Sequence, residues 1–399
     1  MRLNRLTLAT GLMTLLVAAG CQSTGPKEPT QKEVAIKKWN AARATVLISL
    51  AKEQYTGGQF EKCRHTIDDA LRLAPDNTQL HILSAKLSIE QGQLEAAERE
   101  LKMVRSLAPN DAEAHYLSGV VYQRWQKPET ALELYRAAAD KSPAELQYWM
   151  AQAEMLVALD RPADALSLLQ GKVDYFEHSG TIRDAVGQLL MQLGRPGEAA
   201  AMLRQASILS EDDQSVRERL AMALYANHDY RDAADVLVKL IQNEQFAKRG
   251  DLFLMLGECQ LQTGRSREAR YTFETASQLD AQSAPVWRAL ARAAFESGDL
   301  KRADLALAKS LKLDPNLPET HLLLGYVRLR QDRFKEAQAS FQKANALDPK
   351  DTVSLCMIGY VLEKTGRGEE AARYYGKALR LKPGDDMASR LLAGVDARE

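Results

Sequence analysis

NLPETHLLLGYVRLRQDRFKEAQASFQKANALDP (residues 316–349) runs directly into KDTVSLCMIGYVLEKTGRGEEAARYYGKALRLKP (residues 350–383). Laid one over the other, the two stretches align without a gap. Leu-Asp-Pro at 347–349 falls on Leu-Lys-Pro at 381–383, and another Leu-Asp-Pro at 313–315 precedes both. Pro315, Pro349 and Pro383 are therefore 34 residues apart. A fixed period of this length marks a stacked array of one small supersecondary unit, each copy burying its apolar face against its neighbours.

Counting back from the prolines places unit starts at residues 44, 78, 112, 146, 180 and 214, and, after a two-residue insertion, at 250, 284, 318 and 352. The eighth position of these ten units is always small: Ala51, Ala85, Gly119, Ala153, Gly187, Ala221, Gly257, Ala291, Gly325 and Gly359. The twentieth is Cys63 in the first unit and alanine in every other. The twenty-fourth is large, from Ile67 and Leu101 to Phe341 and Tyr375. Small residues let two helices of a unit approach closely, and the large ones fill the layers at near-crystalline density. Position 15 is Gly58, Gly92, Gly194, Gly264, Gly298 or Gly366 in six units, with Asp160, His228 and Asp332 in others. It reads as the left-handed residue that ends a helix. The middle units are degenerate, with Glu177, Glu211, Gln245 and Ala281 where proline stands elsewhere. Residues 171–180 read as a longer connection, and the insertion near Lys248-Arg249 reads as a soft joint.

The period and these three positions resemble the tetratricopeptide repeat, a helix–turn–helix unit. The resemblance implies an all-α, right-handed superhelical solenoid of about ten units, six over 44–247 and four over 250–385. A C-terminal capping helix is expected over 386–399, with Met387, Leu391, Leu392 and Val395 on one face. An N-terminal extension helix over 32–43 runs into the first unit, and its Trp39 is expected to cap the open end rather than touch a membrane.

The chain begins with Arg2 and Arg5, an apolar run from Leu6 to Ala19, and Gly20-Cys21. This is the form of an export signal, too short to span comfortably as a transmembrane helix. Val17-Ala18-Ala19-Gly20-Cys21 resembles a bacterial lipobox. In that family the signal, here 1–20, is removed and the cysteine is acylated, so residues 21–31 would be the lipidated Cys21 and a Gly/Pro-containing tether. Gln22, not aspartate, follows, which in such lipoproteins implies the outer membrane, facing the periplasm.

Lys+Arg and Asp+Glu are 53 each, and removing residues 1–20 leaves 51 basic against 53 acidic. That balance gives no electrostatic footprint for nucleic acid. Cys63, Cys259 and Cys356 lack metal-ligand spacing and sit inside helical patterns, where a thiol packs as a small apolar group. His81, His115 and His321 share position 4 with Trp149 and Trp287, which points to packing. No HExxH, GxxxxGK[ST], GxSxG or strand-borne GxGxxG occurs, so no enzyme, cofactor or metal is expected.

In the repeat family the first helices line a groove through positions 2, 5, 9, 12 and 13. Toward the C-terminus these are Arg288, Arg292, Phe295, Tyr326, Leu329, Arg330, Tyr360 and Lys364, a basic and aromatic set suited to carboxylates on a peptide. The middle units offer Glu154, Asp184, Glu218, Asp251 and Glu258 instead. No unit has the Lys and Asn set of the chaperone-binding members or the Asn ladder of the sugar-transferase members. The expected function is a lipid-anchored scaffold or adaptor holding a protein or peptide, in assembly of a pilus, secretion, exopolysaccharide or protease complex. The alternatives are a subunit of an envelope enzyme with a site built across repeats, and a self-associating general scaffold.

Overall fold

The computed structural model describes residues 30–396. Cys21, the export signal and nearly all of the tether lie outside the described residues. The described chain is helical throughout, with 21 helices and no strand.

It divides into two compact units, one reaching to Lys127 and one starting at Pro128. The first holds α1 (Gln31–Thr56), α2 (Phe60–Leu73), α3 (Thr78–Glu90), α4 (Leu94–Leu107) and α5 (Ala112–Arg124). The second begins with α6 (Pro128–Lys141), α7 (Leu146–Ala158), α8 (Pro162–Gln170), α9 (Gly180–Gln192) and α10 (Pro196–Leu209). It continues through α11 (Gln214–Ala226), α12 (Tyr230–Ile241), α13 (Gly250–Gln262), α14 (Ser266–Leu279), α15 (Ala284–Glu296) and α16 (Leu300–Leu313). It ends with α17 (Pro318–Arg330), α18 (Phe334–Leu347), α19 (Thr352–Lys364), α20 (Gly368–Leu381) and α21 (Asp386–Asp396). Within each compact unit every helix packs on the next.

Turn chemistry sets this pattern. All ten residues at position 15 have positive φ, between 56° and 82°, including Gln126 and His228. The following N–H then reaches back to the carbonyl five residues earlier, as Asp299 N to Ala294 O at 2.8 Å and Arg333 N to Arg328 O at 2.9 Å. This is the Schellman closure, which satisfies carbonyls left open at a helix end. The next first helix starts on a side-chain cap where one is available: Asn77, Asp111, Ser179, Asp213 and Asp351 each accept a first-turn N–H.

Positions 20 and 24 are fully or almost fully buried in every unit. In four repeats position 24 lies directly over a glycine at position 8. A Cβ built on Gly257 would fall 2.4 Å from the Phe273 ring, on Gly325 2.4 Å from Phe341, on Gly359 2.5 Å from Tyr375, and on Gly187 2.5 Å from Leu203. Backbone and large side chain are thus in direct contact at these four glycines, with no room for a Cβ.

The degenerate stretch is irregular but held. α8 stops at Gln170, and the turns that follow are tied by Arg183, which donates to Phe176 O at 3.2 Å and Ser179 O at 3.0 Å. Around the two-residue insertion, Phe246 is buried and Arg249 pairs with Glu218 at 2.8 Å and Asp251 at 2.6 Å. Both sides of the insertion belong to one compact unit, and the division falls at Lys127/Pro128 instead.

Two expectations at the ends change. Trp39 is 65% exposed, so it does not cap the first unit, whose α1 packs instead through Ala44, Ile48 and Ala51. In α21 the buried face is Ala388 and Val395, with Leu391 and Leu392 partly buried, while Met387 points outward. A face built on 388, 391, 392 and 395 keeps helical spacing, and 387 falls off it.

Asp385 secures α21: one carboxylate oxygen accepts the Ala388 N–H at 3.0 Å and the other the Thr352 hydroxyl at 2.9 Å. The Ala388 N–H first, and then Thr352, hold its pKa below the usual carboxylate range. A depressed native pKa contributes stability that is full above the unfolded value near 4 and is lost as pH falls through the native one. Asp385→Ala is expected to cost about 1 kcal/mol. Amide exchange in α21 should accelerate in this variant at pH 7 and in the wild type only below about pH 4. Unchanged exchange in the variant would remove Asp385 from this role.

Candidate protein-binding groove

The first helices of the C-terminal compact unit present two adjoining recesses. The first, about 670 Å³, is walled by Tyr225 on α11, Leu254, Met255 and Glu258 on α13, Arg288 and Arg292 on α15, and Glu319, Leu322, Leu323 and Tyr326 on α17. The second, about 560 Å³, is walled by Phe295, Tyr326, Leu329, Arg330, Phe334, Met357, Tyr360 and Lys364. Tyr326 borders both, its ring edge-on to Phe341 at 5.4 Å. The structure therefore places Arg288, Arg292, Phe295, Tyr326, Arg330, Tyr360 and Lys364 along one continuous pair of recesses.

Their charges are not equivalent. Arg292 is paired with Glu258 at 2.7 Å and lies 3.6 Å from Glu296, and Arg288 is paired with Glu319 at 3.1 Å. The acidic middle is compensated in the same way. Asp184 takes both branches of Arg219 at 2.6 and 2.8 Å, and Glu218 and Asp251 share Arg249. The contrast of an acidic middle and a basic end thus becomes a ladder of ion pairs, many of them bridging successive first helices. Arg330 and Lys364 differ. Each lies 5.4 Å from an aromatic centroid, Arg330 over Phe295 and Lys364 over Tyr360, and among the described residues neither makes an ion pair. A cation parked on a ring keeps its N–H donors available to an incoming carboxylate.

Reading the groove through positions 2, 5, 9, 12 and 13 misses its floor. Met255, Ala289, Leu323 and Met357 all stand at position 6 and line the recesses. Residue type alone does not reveal this floor, because the same face is part of the core: Met357 and Ala289 are buried, and Met255 and Leu323 are half-buried.

Family models described as tetratricopeptide repeat match residues 57–119, and residues 116–171 with 185–243. A third, described as the cilia and flagella-associated protein 70 C-terminal domain, matches residues 238–398. This chain belongs to the tetratricopeptide-repeat family. Three solved structures to which the chain is similar are the following. MamA from Desulfovibrio magneticus RS-1 is 22% identical, over 43% of this chain and 96% of that one, with a TM-score of 0.40. YrrB, described as a TPR protein with an unusual peptide-binding site, is 17% identical, over 48% and 97%, with a TM-score of 0.40. The APC/C hetero-tetramer Cut9–Hcn1 is 13% identical, over 91% and 98%, with a TM-score of 0.45. No curated protein matches the chain.

The tetratricopeptide framework accounts for the residues that could have carried chemistry. Trp149 Nε1 donates to Pro143 O at 2.9 Å and Trp287 Nε1 to Ala281 O at 3.0 Å. His81 and His321 place Nε2 on Pro75 O at 2.7 Å and Pro315 O at 2.9 Å. In these four repeats position 4 is therefore a clasp onto the position-32 carbonyl of the preceding repeat, and either His or Trp serves because each carries a ring N–H. His115 departs from this, with Nδ1 on Asp111 O at 2.9 Å.

The three thiols are buried: Cys63 donates to Ala51 O at 3.3 Å, and burial pushes Cys259 and Cys356 each up to about 11. A thiol so protonated is a poor nucleophile. At pH 8 the native protein should leave all three unreacted with a disulfide reagent, and unfolding should release three. Stoichiometric reaction of Cys259 or Cys356 in native protein would contradict this packing.

Proposed function

We propose that this chain is a non-enzymatic scaffold, held at a bacterial envelope membrane by acylation of Cys21, that captures a protein or peptide along the two recesses. The observation that carries this reading is the second recess. Its cations, Arg330 and Lys364, are poised over aromatic rings, while Arg288 and Arg292 are already paired. Beside it the first recess offers apolar walls from Leu254, Met255, Leu322 and Leu323. The matching ligand is an extended segment with a large apolar side chain a few residues from a carboxylate, either acidic side chain or C-terminus. A compact hot spot of aromatic and arginine side chains next to an apolar pocket is the composition that carries most binding energy in protein interfaces.

The lipobox-like sequence at 17–21 supports placement at the outer membrane facing the periplasm, in the assembly of an envelope complex. Several acyl chains hold a soluble domain firmly, since each buried methylene adds about 0.8 kcal/mol. Two measurements test the reading. Labelled fatty acid should enter the wild type and not Cys21→Ser. Crosslinking in cells, followed by purification in detergent and mass spectrometry, should return one dominant envelope partner whose crosslinks map to α15, α17 and α19. Crosslinks confined to other surfaces would sink the groove assignment.

A further inference from the structure

The first helix carries an apolar stripe that no other described residue covers. α1 packs on α2 and α3 through Ala44, Ile48 and Ala51. On the opposite side Ile36, Trp39, Val46 and Leu50 fall at spacings of three, seven and four, which places them in one line along the helix. They are 49%, 65%, 69% and 42% exposed. Lys32 and Arg43 project from the same side, while Lys37 and Lys38 stand on other faces of the helix and add to its net positive charge. Over residues 31–50 these four cations face a single acid, Glu33, and that carboxylate is taken up by the capping box with Thr30.

We infer that this stripe of α1 is a membrane-surface contact, lying in the headgroup region of an anionic bilayer. A helix with Trp and aliphatic residues along one line and lysine or arginine beside them has the composition of an interfacial helix. Its charge excludes spanning: no helix among the described residues is long and apolar enough to cross a membrane. Charge also selects between occupants. A second copy packed in parallel would set Lys32 against Lys32 and Arg43 against Arg43, since the exposed acid of this helix, Glu53, stands one turn beyond Leu50 at the far end from Lys32. An anionic lipid surface complements the same charges.

Chain geometry agrees, resting here on the reading that Cys21 is acylated. Eight residues separate Cys21 from Thr30, the cap of α1. At full extension they reach about 30 Å. The stripe then begins within one short tether of the bilayer, so docking needs no further search through solution. Attachment at two points, acyl chain and helix, would fix the direction in which the first repeats leave the membrane rather than let them swing on the tether.

Full-chain protein purified from membranes is reconstituted into vesicles of phosphatidylethanolamine and phosphatidylglycerol, with and without brominated acyl chains. The mass of the N-terminal peptide is measured on the same sample. Bromination is expected to quench a component of tryptophan emission that is missing in Trp39→Phe. The quenching should be lost in Lys32→Glu/Lys37→Glu/Lys38→Glu, and in the wild type on phosphatidylcholine vesicles, while all forms remain on the vesicles. An emission that ignores bromination in anchored wild type overturns the contact. So does efficient disulfide pairing between two copies of Val46→Cys without quenching, which would give the stripe to a second copy. Should the N-terminal peptide carry no acyl group, the anchoring reading fails by itself. The quenching of the same protein mixed with the same vesicles then still decides the contact, present supporting it and absent overturning it.

Discussion

Gly325→Ala is expected to destabilise the repeat built from α17 and α18 by about 1–3 kcal/mol, as an overpacked layer. The new methyl would sit 2.4 Å from the Phe341 ring, and neither partner can move aside. Phe341 is fully buried, and Gly325 belongs to the body of a helix. Phe341→Leu alone should leave a cavity and cost about 1–2 kcal/mol. Together the two changes recreate the Ala291 and Leu307 pair of the preceding repeat, so the double variant should lose at least about 1 kcal/mol less than the sum. Repeat arrays need not unfold in one step, so amide exchange in α17 and α18 reads the effect better than a global melt. Strict additivity would show that the contact between ring and backbone is not what requires glycine there.

Arg330→Glu combined with Lys364→Glu is expected to weaken capture of the crosslinked partner at least tenfold, roughly 1.4 kcal/mol or more. Both cations are exposed and sit on rings, so reversal removes donors for a carboxylate and adds repulsion without leaving a buried charge alone. Amide exchange of the array should not change. Arg292→Glu makes the opposite control. It sets a third carboxylate beside Glu258 and Glu296, so it should loosen α13 against α15 before it affects a ligand. Raised salt should weaken wild-type capture and partly restore capture by the double reversal, because it screens the attraction in the first and the repulsion in the second. Equal capture by wild type and the double reversal would take the second recess out of the binding site.

Much of this molecule is legible in its sequence because a repeat states each structural requirement ten times. Position 20 can hold only a small side chain where two helices cross, and Cys63 and the alanines after it record that directly. Even the left-handed turn was readable through six glycines, although Gln126 adopts it without announcing it. The groove was legible as a face: seven side chains chosen by position do line one pair of recesses. Its floor at position 6 was not, because a residue apolar on a helix reads equally well as core.

Legible in the chain alone were the repeat, the starts of its units and the buried small and large positions, together with the signal-like form of its first twenty-one residues. Period and residue size are local properties repeated along the chain, so they survive without coordinates. Only the tertiary structure decided which charges are spent and which remain available. Arg292 at position 9 and Arg330 at position 13 both read as groove cations in the linear sequence, yet the first meets Glu258 across 34 positions of sequence and the second lies over the Phe295 ring with no ion pair among the described residues. Likewise Trp39, which could have been a cap, stands exposed because α1 turns Ala44, Ile48 and Ala51 toward the array. Ion pairing and exposure depend on what neighbouring helices bring within about 4 Å, and that distance is set by the packing of whole units rather than by any single stretch of chain.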